Sequence, residues 1–134
     1  MLDFGADIPF VHELGITLHH MQAGASELRH QVLAQHTNSH GMAHGGVIMT
    51  LLDVAMAVAA RSDTPEHAVV TIEMKTSFVQ PAHGALVAKG RLLHRTRSIA
   101  FAEASVFDAQ GRLCSHATGT FKYLPKAPIR STET

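Results

Sequence analysis

The chain has 134 residues, of which 46% are hydrophobic and 16% are charged, and its formal net charge at pH 7 is zero. A chain of this length suits one domain that buries most of the surface exposed by its unfolded form. It has one Tyr, no Trp and no block of basic residues, so its composition lacks the charge and stacking signals typical of nucleic-acid binding.

The cysteine content and the apolar segments predict a cytoplasmic protein without a membrane segment. The single cysteine, Cys114, excludes an intrachain disulfide and is compatible with a reducing compartment. Residues 1–15 include early acids and no continuous apolar core, unlike a secretory signal. The longest apolar stretch, residues 47–60, is interrupted by polar residues and is shorter than the roughly 20 residues that span a bilayer.

The first predicted element is a short helix over residues 7–14. Asp7 is suited to the N-cap, and Pro9 is suited to the first turn of the helix. Gly15 follows at the position where a helix commonly ends.

A hairpin and a long helix follow in the sequence. Broken alternation over residues 16–22 and 27–35 predicts two strands that turn at residues 23–25. Residues 36–43 contain Asn, Ser and Gly and are predicted to form a loop. The segment from Gly45 to Arg61 then predicts one long helix, because it is mostly apolar and a Ser-Asp-Thr-Pro stop follows it.

The rest of the chain predicts strands joined by turns. Four strand segments occupy residues 67–79, 85–97, 98–108 and 112–124. The order of elements therefore predicts an α+β domain, in which antiparallel strands surround one central helix. We expect a single domain over residues 1–124 and a flexible C-terminal tail over residues 125–134.

The long helix contains one carboxylate, Asp53, in an otherwise apolar segment. A helix that is apolar on all sides is buried, and here the sheet would have to cover it. A buried, unpaired carboxylate is costly, and the basic residue of the same helix, Arg61, lies more than two turns away. We therefore expect Asp53 to find a polar partner elsewhere or to line a cavity.

The spacing of Gly46, Thr50 and Asp53 places them on one face of this helix. At its start, the N–H groups of Gly45 and Gly46 are expected to be free and to lie at the positive end of the helix dipole. A carbonyl oxygen bound there, with Asp53 facing the carbonyl carbon, would form an oxyanion site opposite a base or nucleophile. The alternative is a purely structural role, in which Thr50 and Asp53 form a hydrogen-bonded pair and the glycines allow close packing.

One motif in the loop and helix resembles a known family. It reads Asn38-x-x-Gly41-x-x-His44-Gly45-Gly46, followed by Leu51-Leu52-Asp53 and Ala55. This pattern resembles the hotdog-fold acyl-CoA thioesterases of the PaaI-like, phenylacetate-degradation group. Further matches, including the stretch TIEMKTSFVQPA at residues 71–82, extend the resemblance over residues 16–124.

The resemblance implies a hotdog fold and hydrolysis of acyl-CoA thioesters to a free acid and coenzyme A, with no other cofactor and no metal. Asp53 would be the general base or the nucleophile, and the Gly45 N–H would bind the thioester oxygen. Asn38 and His44 would orient the acyl group and water, and Thr71 would help to hold the lytic water.

The resemblance also implies how substrate and subunits are arranged. Gly46 and Thr50 would contact the substrate on the helix face, and Arg95 and Arg97 are candidates for the phosphates of coenzyme A. The family's pocket lies between two subunits, which implies a homodimer or a homotetramer in which Asn38 and Asp53 meet across the interface.

Other features of the sequence bear on a metal site or on a different function. His36, His40 and His44 are spaced by four, as metal ligands on a helix would be, but the polar loop composition argues against a helix there. The chain has no Gly-x-Ser-x-Gly motif of serine hydrolases. The remaining alternatives are a non-catalytic acyl-CoA binding protein and a hotdog-fold hydratase or dehydratase, which a panel of acyl-CoAs would distinguish from a thioesterase.

Overall fold

A computed structural model describes residues 1–125, so the predicted tail lies outside the described residues except for Pro125. The described residues form two α-helices, one short 3-10 turn and six strands. In chain order these are α1 (Pro9–Glu13), β1 (Thr17–Gln22), β2 (Ala25–Gln31), the turn Ala34–His36, α2 (Gly45–Arg61), β3 (Val69–Phe78), β4 (Ala85–Arg95), β5 (Ile99–Phe107) and β6 (Leu113–Tyr123).

The six strands form one antiparallel sheet in the order β1-β2-β4-β5-β6-β3. Every strand of this sheet contacts α2, so the long helix is the centre around which the sheet packs. The predicted fold class is confirmed: the domain is α+β, with an antiparallel sheet wrapped around one central helix. No helix of the described residues is long and apolar enough to cross a membrane.

The close approach of the sheet to α2 depends on a residue without a side chain. At Gly90 of β4, an added Cβ would lie 2.2 Å from the carbonyl oxygen of Ala55 in α2. The hydroxyl of Ser26, on the neighbouring strand β2, donates a 2.6 Å hydrogen bond to the same oxygen. Gly90 and Ser26 thus bring the sheet against the helix backbone itself.

The N-terminal helix differs from the prediction. It begins at Pro9, its N-cap is Ile8, and no side chain caps it, so the prediction of Asp7 as the cap is wrong. Gly15 follows the helix with φ 70°, a left-handed conformation that glycine adopts readily. This conformation agrees with the prediction that the helix ends at Gly15.

One face of α2 is left uncovered by the sheet of its own chain. The side chain of Met49 is 39% exposed, and Thr50 and Asp53 are only partly buried. The prediction of a helix buried on every side is therefore wrong for this face. Asp53 avoids full burial because it lies there.

Strand β3 forms one edge of the sheet and pairs only with β6 among the described strands. Its side chains Val70, Ile72 and Phe78 are 46%, 54% and 55% exposed. The pairing register with β6 shifts between Thr71 and Glu73, which marks a bulge in the strand. An edge strand with exposed apolar side chains is a surface on which another strand can pair.

Candidate active site

Asp53 lies in the middle of α2 and is held by a side chain from β3. The hydroxyl of Thr71 donates a 2.6 Å hydrogen bond to Oδ1 of Asp53. Burial raises the pKa of Asp53 above its usual value, and the hydrogen bond from Thr71 acts in the opposite direction. The hydroxyl of Thr50 donates instead to the Gly46 carbonyl at 2.8 Å, so the alternative of a Thr50–Asp53 pair is wrong.

A cavity of about 330 Å³ opens beside this carboxylate between α1, α2 and β3. Its lining residues are Ile8, Phe10, Val11, Met49, Thr50, Asp53, Val54 and Met74. Among these residues Asp53 alone carries a charge, and the others except Thr50 are apolar. An apolar pocket with one or two polar groups is typical of a small-molecule site.

His44 organises the start of α2. It is the N-cap residue, and its Nδ1 accepts a 2.8 Å hydrogen bond from the Gly46 N–H. Its carbonyl accepts hydrogen bonds from the N–H groups of Val47 and Ile48 at 2.9 and 3.2 Å. Because Nδ1 is an acceptor, the neutral ring carries its hydrogen on Nε2.

One backbone donor at this helix start stays available. The Gly45 N–H has no hydrogen-bond acceptor among the described residues, and it points from the positive end of a helix of 17 residues. The sequence predicted two free donors, but the Gly46 N–H is taken by His44. The usual N-cap residues are Ser, Thr, Asp and Asn, so the sequence carries no standard signal for a cap by His44.

The loop before α2 is built on the side chain of Asn38. Its Oδ1 accepts hydrogen bonds from the N–H groups of His40 and Met42 at 2.9 and 3.1 Å. With the amide oxygen used in the loop, the amide NH₂ group remains as a donor. Asn38 and Gly45 both line a second cavity of about 420 Å³, together with Phe78 at the end of β3.

Four of the predicted site residues line the two cavities, two in each. Asn38 and Gly45 line the cavity at the start of α2, whereas Thr50 and Asp53 line the cavity farther along the helix. The two sets of lining residues have no member in common. Within one chain, the predicted oxyanion donor and the predicted base therefore do not face a shared pocket.

The two arginines predicted to meet coenzyme A have different surroundings. The guanidinium group of Arg95 lies 3.8 Å from the ring centroid of Tyr123 and donates to the hydroxyl of Thr64 at 3.4 Å. Arg97 is exposed in the turn between β4 and β5 and forms no ion pair within the described residues. Of the two, Arg97 is the side chain that is free to contact a phosphate.

The described residues contain no group of three or more His, Cys, Asp or Glu side chains that could hold a metal ion. His36 is buried, with its Nδ1 accepting a hydrogen bond from the Leu33 N–H, whereas His40 is exposed. The predicted regular spacing of His36, His40 and His44 therefore does not bring three imidazoles together.

Comparison with known proteins places the chain in a family. Residues 40–115 match the model of the thioesterase superfamily. A Halobacterium salinarum protein with a provisional esterase name is 33% identical over 99 residues, which cover 69% of this chain and 66% of that protein. A conserved protein from Pseudomonas aeruginosa has a similar structure, with a TM-score of 0.85, 27% identity, and coverage of 90% of this chain and 97% of the other.

The resemblance to the PaaI-like group is also confirmed. A variant of the phenylacetic acid degradation protein PaaI from Thermus thermophilus has a TM-score of 0.79 and 28% identity, covering 87% of this chain and 100% of that chain. The superfamily match includes Gly45 of one cavity and Asp53 of the other, and also His44 and Thr71, which bond to Gly46 and Asp53. The chain belongs to the thioesterase superfamily and has its hotdog fold.

Proposed function

We propose that this protein hydrolyses acyl-CoA thioesters to the free acid and coenzyme A. Membership of the thioesterase superfamily supports hydrolysis of thioesters or esters in general. The observation that carries the proposal is the position of Asp53. Its carboxylate lies on an apolar cavity, accepts a hydrogen bond from one hydroxyl and has no cationic partner among the described residues. Such a carboxylate is a strong candidate for a general base.

In the proposed reaction, Asp53 takes a proton from water as the water oxygen attacks the thioester carbonyl. The developing oxyanion accepts a hydrogen bond from the Gly45 N–H, and its charge is further stabilised by the dipole of α2. Collapse of the tetrahedral intermediate breaks the C–S bond, and the coenzyme A thiolate leaves and is protonated. Direct attack by Asp53 on the carbonyl is the alternative role of this residue.

The cavity beside Asp53 suggests the class of acyl group. Ile8, Phe10, Met49 and Met74 give it apolar walls, and its one charge is negative. An uncharged aliphatic or aromatic acyl group fits this lining, whereas an acyl group with a second carboxylate would be repelled. We therefore expect turnover of phenylacetyl-CoA or hexanoyl-CoA to exceed that of succinyl-CoA, measured as kcat/KM by release of free thiol.

A homodimer would join the two separated groups of catalytic residues. Strand β3 contributes Thr71 and Met74 near one cavity and Phe78 at the other, and it is an exposed edge of the sheet. Antiparallel pairing of β3 with the same strand of a second chain would bring the Asp53 cavity of one chain toward the Gly45 cavity of its partner. A tetramer would consist of two such dimers, and a cytoplasmic location remains a prediction.

Mixed dimers of inactive variants test both the residues and the shared site. Asp53→Asn removes the base with little change of shape, and Gly45→Pro removes the N–H at a position where proline is tolerated. His44 has φ −61° and ψ 140°, which a residue before proline can adopt. Gly45→Ala is the matched control, because it keeps the N–H and places its Cβ 3.4 Å from Phe78, an ordinary contact.

We expect each single variant to lose at least about 10²-fold in kcat. A dimer that combines one Asp53→Asn chain with one Gly45→Pro chain, purified through two tags, would contain one intact site of two and recover about half the wild-type activity. A dimer of wild type with the double variant would contain no intact site. The reverse pattern would place each site within one chain, and binding of acyl-CoAs without turnover by the wild type would reject hydrolysis.

A further inference from the structure

Two buried histidines lie beneath the loop that leads into α2 and have no part in the proposed hydrolysis. His30 of β2 is 3% exposed and His36 of the 3-10 turn is 6% exposed. Their ring centroids are 4.8 Å apart, with an angle of 49° between the ring planes. Neither ring nitrogen of His30 has a hydrogen-bond partner among the described residues. Buried polar atoms are nearly always paired, so this exception calls for an explanation.

His36 links the pair to the start of α2. Its Nδ1 accepts a 3.0 Å hydrogen bond from the Leu33 N–H, which fixes the turn. Its carbonyl accepts a 2.8 Å hydrogen bond from the N–H of His44, the residue that caps the helix. The position of the Gly45 N–H therefore depends on where His36 lies, and His36 packs on His30.

The surroundings of His30 do not favour a positive charge. Burial, and next to it the charge of His36, lower the pKa of His30 below its usual value. The carbonyl of Leu14, in the connection between α1 and β1, favours the protonated ring, but it makes no hydrogen bond of normal geometry with either nitrogen.

The other elements around His30 contribute no compensating charge. On β4 the residue paired with His30 is Leu86, and the charged residues Lys89 and Arg91 of that strand are exposed. Helix α2 carries two charged residues, Asp53 in its own cavity and Arg61 at its C-terminal end, where Arg61 donates to the carbonyls of His67 and Pro65. His36 is thus the titratable group that acts on His30 among the described residues.

We propose that His30 and His36 form a pH-sensitive support for the helix start, in which the neutral rings hold His44 and Gly45 in place and protonation releases them. A proton on His30 would place a positive charge in a buried site against a second imidazole. The stack would separate, and the turn that carries the His36 carbonyl would move with it. His30 and His36 are positioning residues in this scheme, and its effect on turnover rests on the proposed function.

The direction of the pH dependence follows from the lowered pKa of His30. As the pH falls below the unfolded value of about 6.5, the unfolded chain binds the proton first, so the folded state loses stability. The loss is complete once the pH passes below the lowered pKa of the folded state. Stability is therefore full above about pH 6.5 and declines in the window beneath it.

The experiment compares wild type with His30→Leu between about pH 8 and pH 5. Leucine fills the site without an ionisable group, and no hydrogen bond of His30 is lost. His20→Leu is the matched control, because His20 is exposed on β1. Two readouts are independent of turnover: the Tm, and the hydrogen-exchange protection factors of the Val47 and Ile48 amides, corrected for the intrinsic effect of pH. These two amides bond to the backbone carbonyl of His44 and not to its ring.

In the wild type and in His20→Leu, we expect the Tm and both protection factors to fall as the pH drops below about 6.5. In His30→Leu, the fall in protection should be absent and the fall in Tm smaller, because His19 also has a lowered pKa and still contributes. The kcat of His30→Leu should accordingly persist to lower pH while KM stays constant. Equal pH dependence in all three proteins would overturn the proposal.

A loss of Tm without any loss of protection at Val47 and Ile48 would also overturn it, since the pair would then be uncoupled from the helix start. If His30→Leu does not fold, NMR titration of the wild-type imidazoles tests the proposal instead. Titration of His30 below the usual histidine value of about 6.5, together with lost protection at Val47 in the same pH range, supports the proposal, and any other result rejects it. The Tm, the protection factors and the NMR titration do not require that the protein be a thioesterase, whereas the kcat comparison does.

Discussion

Asp53, the proposed general base, lowers the stability of the folded state at neutral pH. Because the pKa of Asp53 is raised in the folded protein, the folded state binds its proton more tightly than the unfolded state does. The stability associated with this group is present below the unfolded pKa of about 3.9 and is lost as the pH rises through the folded pKa. Asp53→Asn should therefore not lower the Tm at pH 7, although it should abolish turnover.

Thr71→Val tests the hydroxyl that holds Asp53. Valine has a similar shape but cannot donate a hydrogen bond, so the influence that lowers the pKa of Asp53 is removed and burial remains. We expect the acid limb of the kcat/KM profile to move to higher pH. Thr50→Val is the control, because the Thr50 hydroxyl bonds to Gly46 rather than to Asp53. Equal movement of the acid limb in both variants would contradict the assignment.

At the level of single residues, the sequence pointed to candidate site residues, but it did not predict their hydrogen-bond partners. Asp53 is identified as a candidate site residue because burying a lone carboxylate in an apolar helix is costly. Its donor, Thr71, lies on a strand that the chain reaches only after the helix, so its contact with Asp53 depends on the tertiary fold. The cap formed by His44 is local, but histidine is not among the residues that commonly cap helices, so the sequence did not predict it.

Gly90→Ala tests the contact between β4 and α2. The added Cβ would lie 2.2 Å from the Ala55 carbonyl, a backbone atom that moves only if the helix or the strand moves. We expect a loss of about 3 kcal/mol or more in the free energy of unfolding, measured with denaturant. Ser26→Ala, which removes one hydrogen bond to the same oxygen, should cost about 1 kcal/mol. Similar small losses in both variants would mean that the two elements can separate easily.

The long helix was predicted with the bounds that the structure has, and shorter elements were not. An apolar run between a glycine pair and a Ser-Asp-Thr-Pro stop defines Gly45–Arg61 from local signals alone. Strand β2 ends at Gln31, short of the predicted residue 35, and the next backbone N–H, that of Val32, bonds to the carbonyl of Gly84. That partner comes from a distant turn, which the sequence pattern could not reveal.

At the scale of the whole molecule, the separation of the two cavities could not be predicted from residue spacing. The helix periodicity placed Gly46, Thr50 and Asp53 on one face. It suggested that one chain could bind the thioester oxygen at the helix start and supply the base farther along the same face. The structure instead directs Gly45 and Asp53 into different cavities. Spacing along a helix gives an angle around its axis, whereas a pocket is defined by the elements that pack on it.

Ile72→Lys tests association through the edge strand. Ile72 is 54% exposed on β3, and a lysine on an edge strand opposes pairing with another strand. We expect this variant to sediment as a monomer, with a far-UV spectrum close to that of the wild type and little activity. Leu93→Lys, at a position 48% exposed on an interior strand, should remain associated and active. An active monomer would contradict a site shared between chains.

The bulge in β3 changes which face of the sheet the side chains after it point to. Successive residues of a strand point to opposite faces. Thr71 and Phe78 differ in parity, yet Thr71 reaches Asp53 and Phe78 lies beside Gly45, both on the helix side. The extra residue between Thr71 and Glu73 makes this possible, because it advances the alternation by one step. Deleting Ile72 would leave a continuous strand but turn one of these two side chains outward. The extra residue therefore allows side chains near both ends of the strand to face the helix.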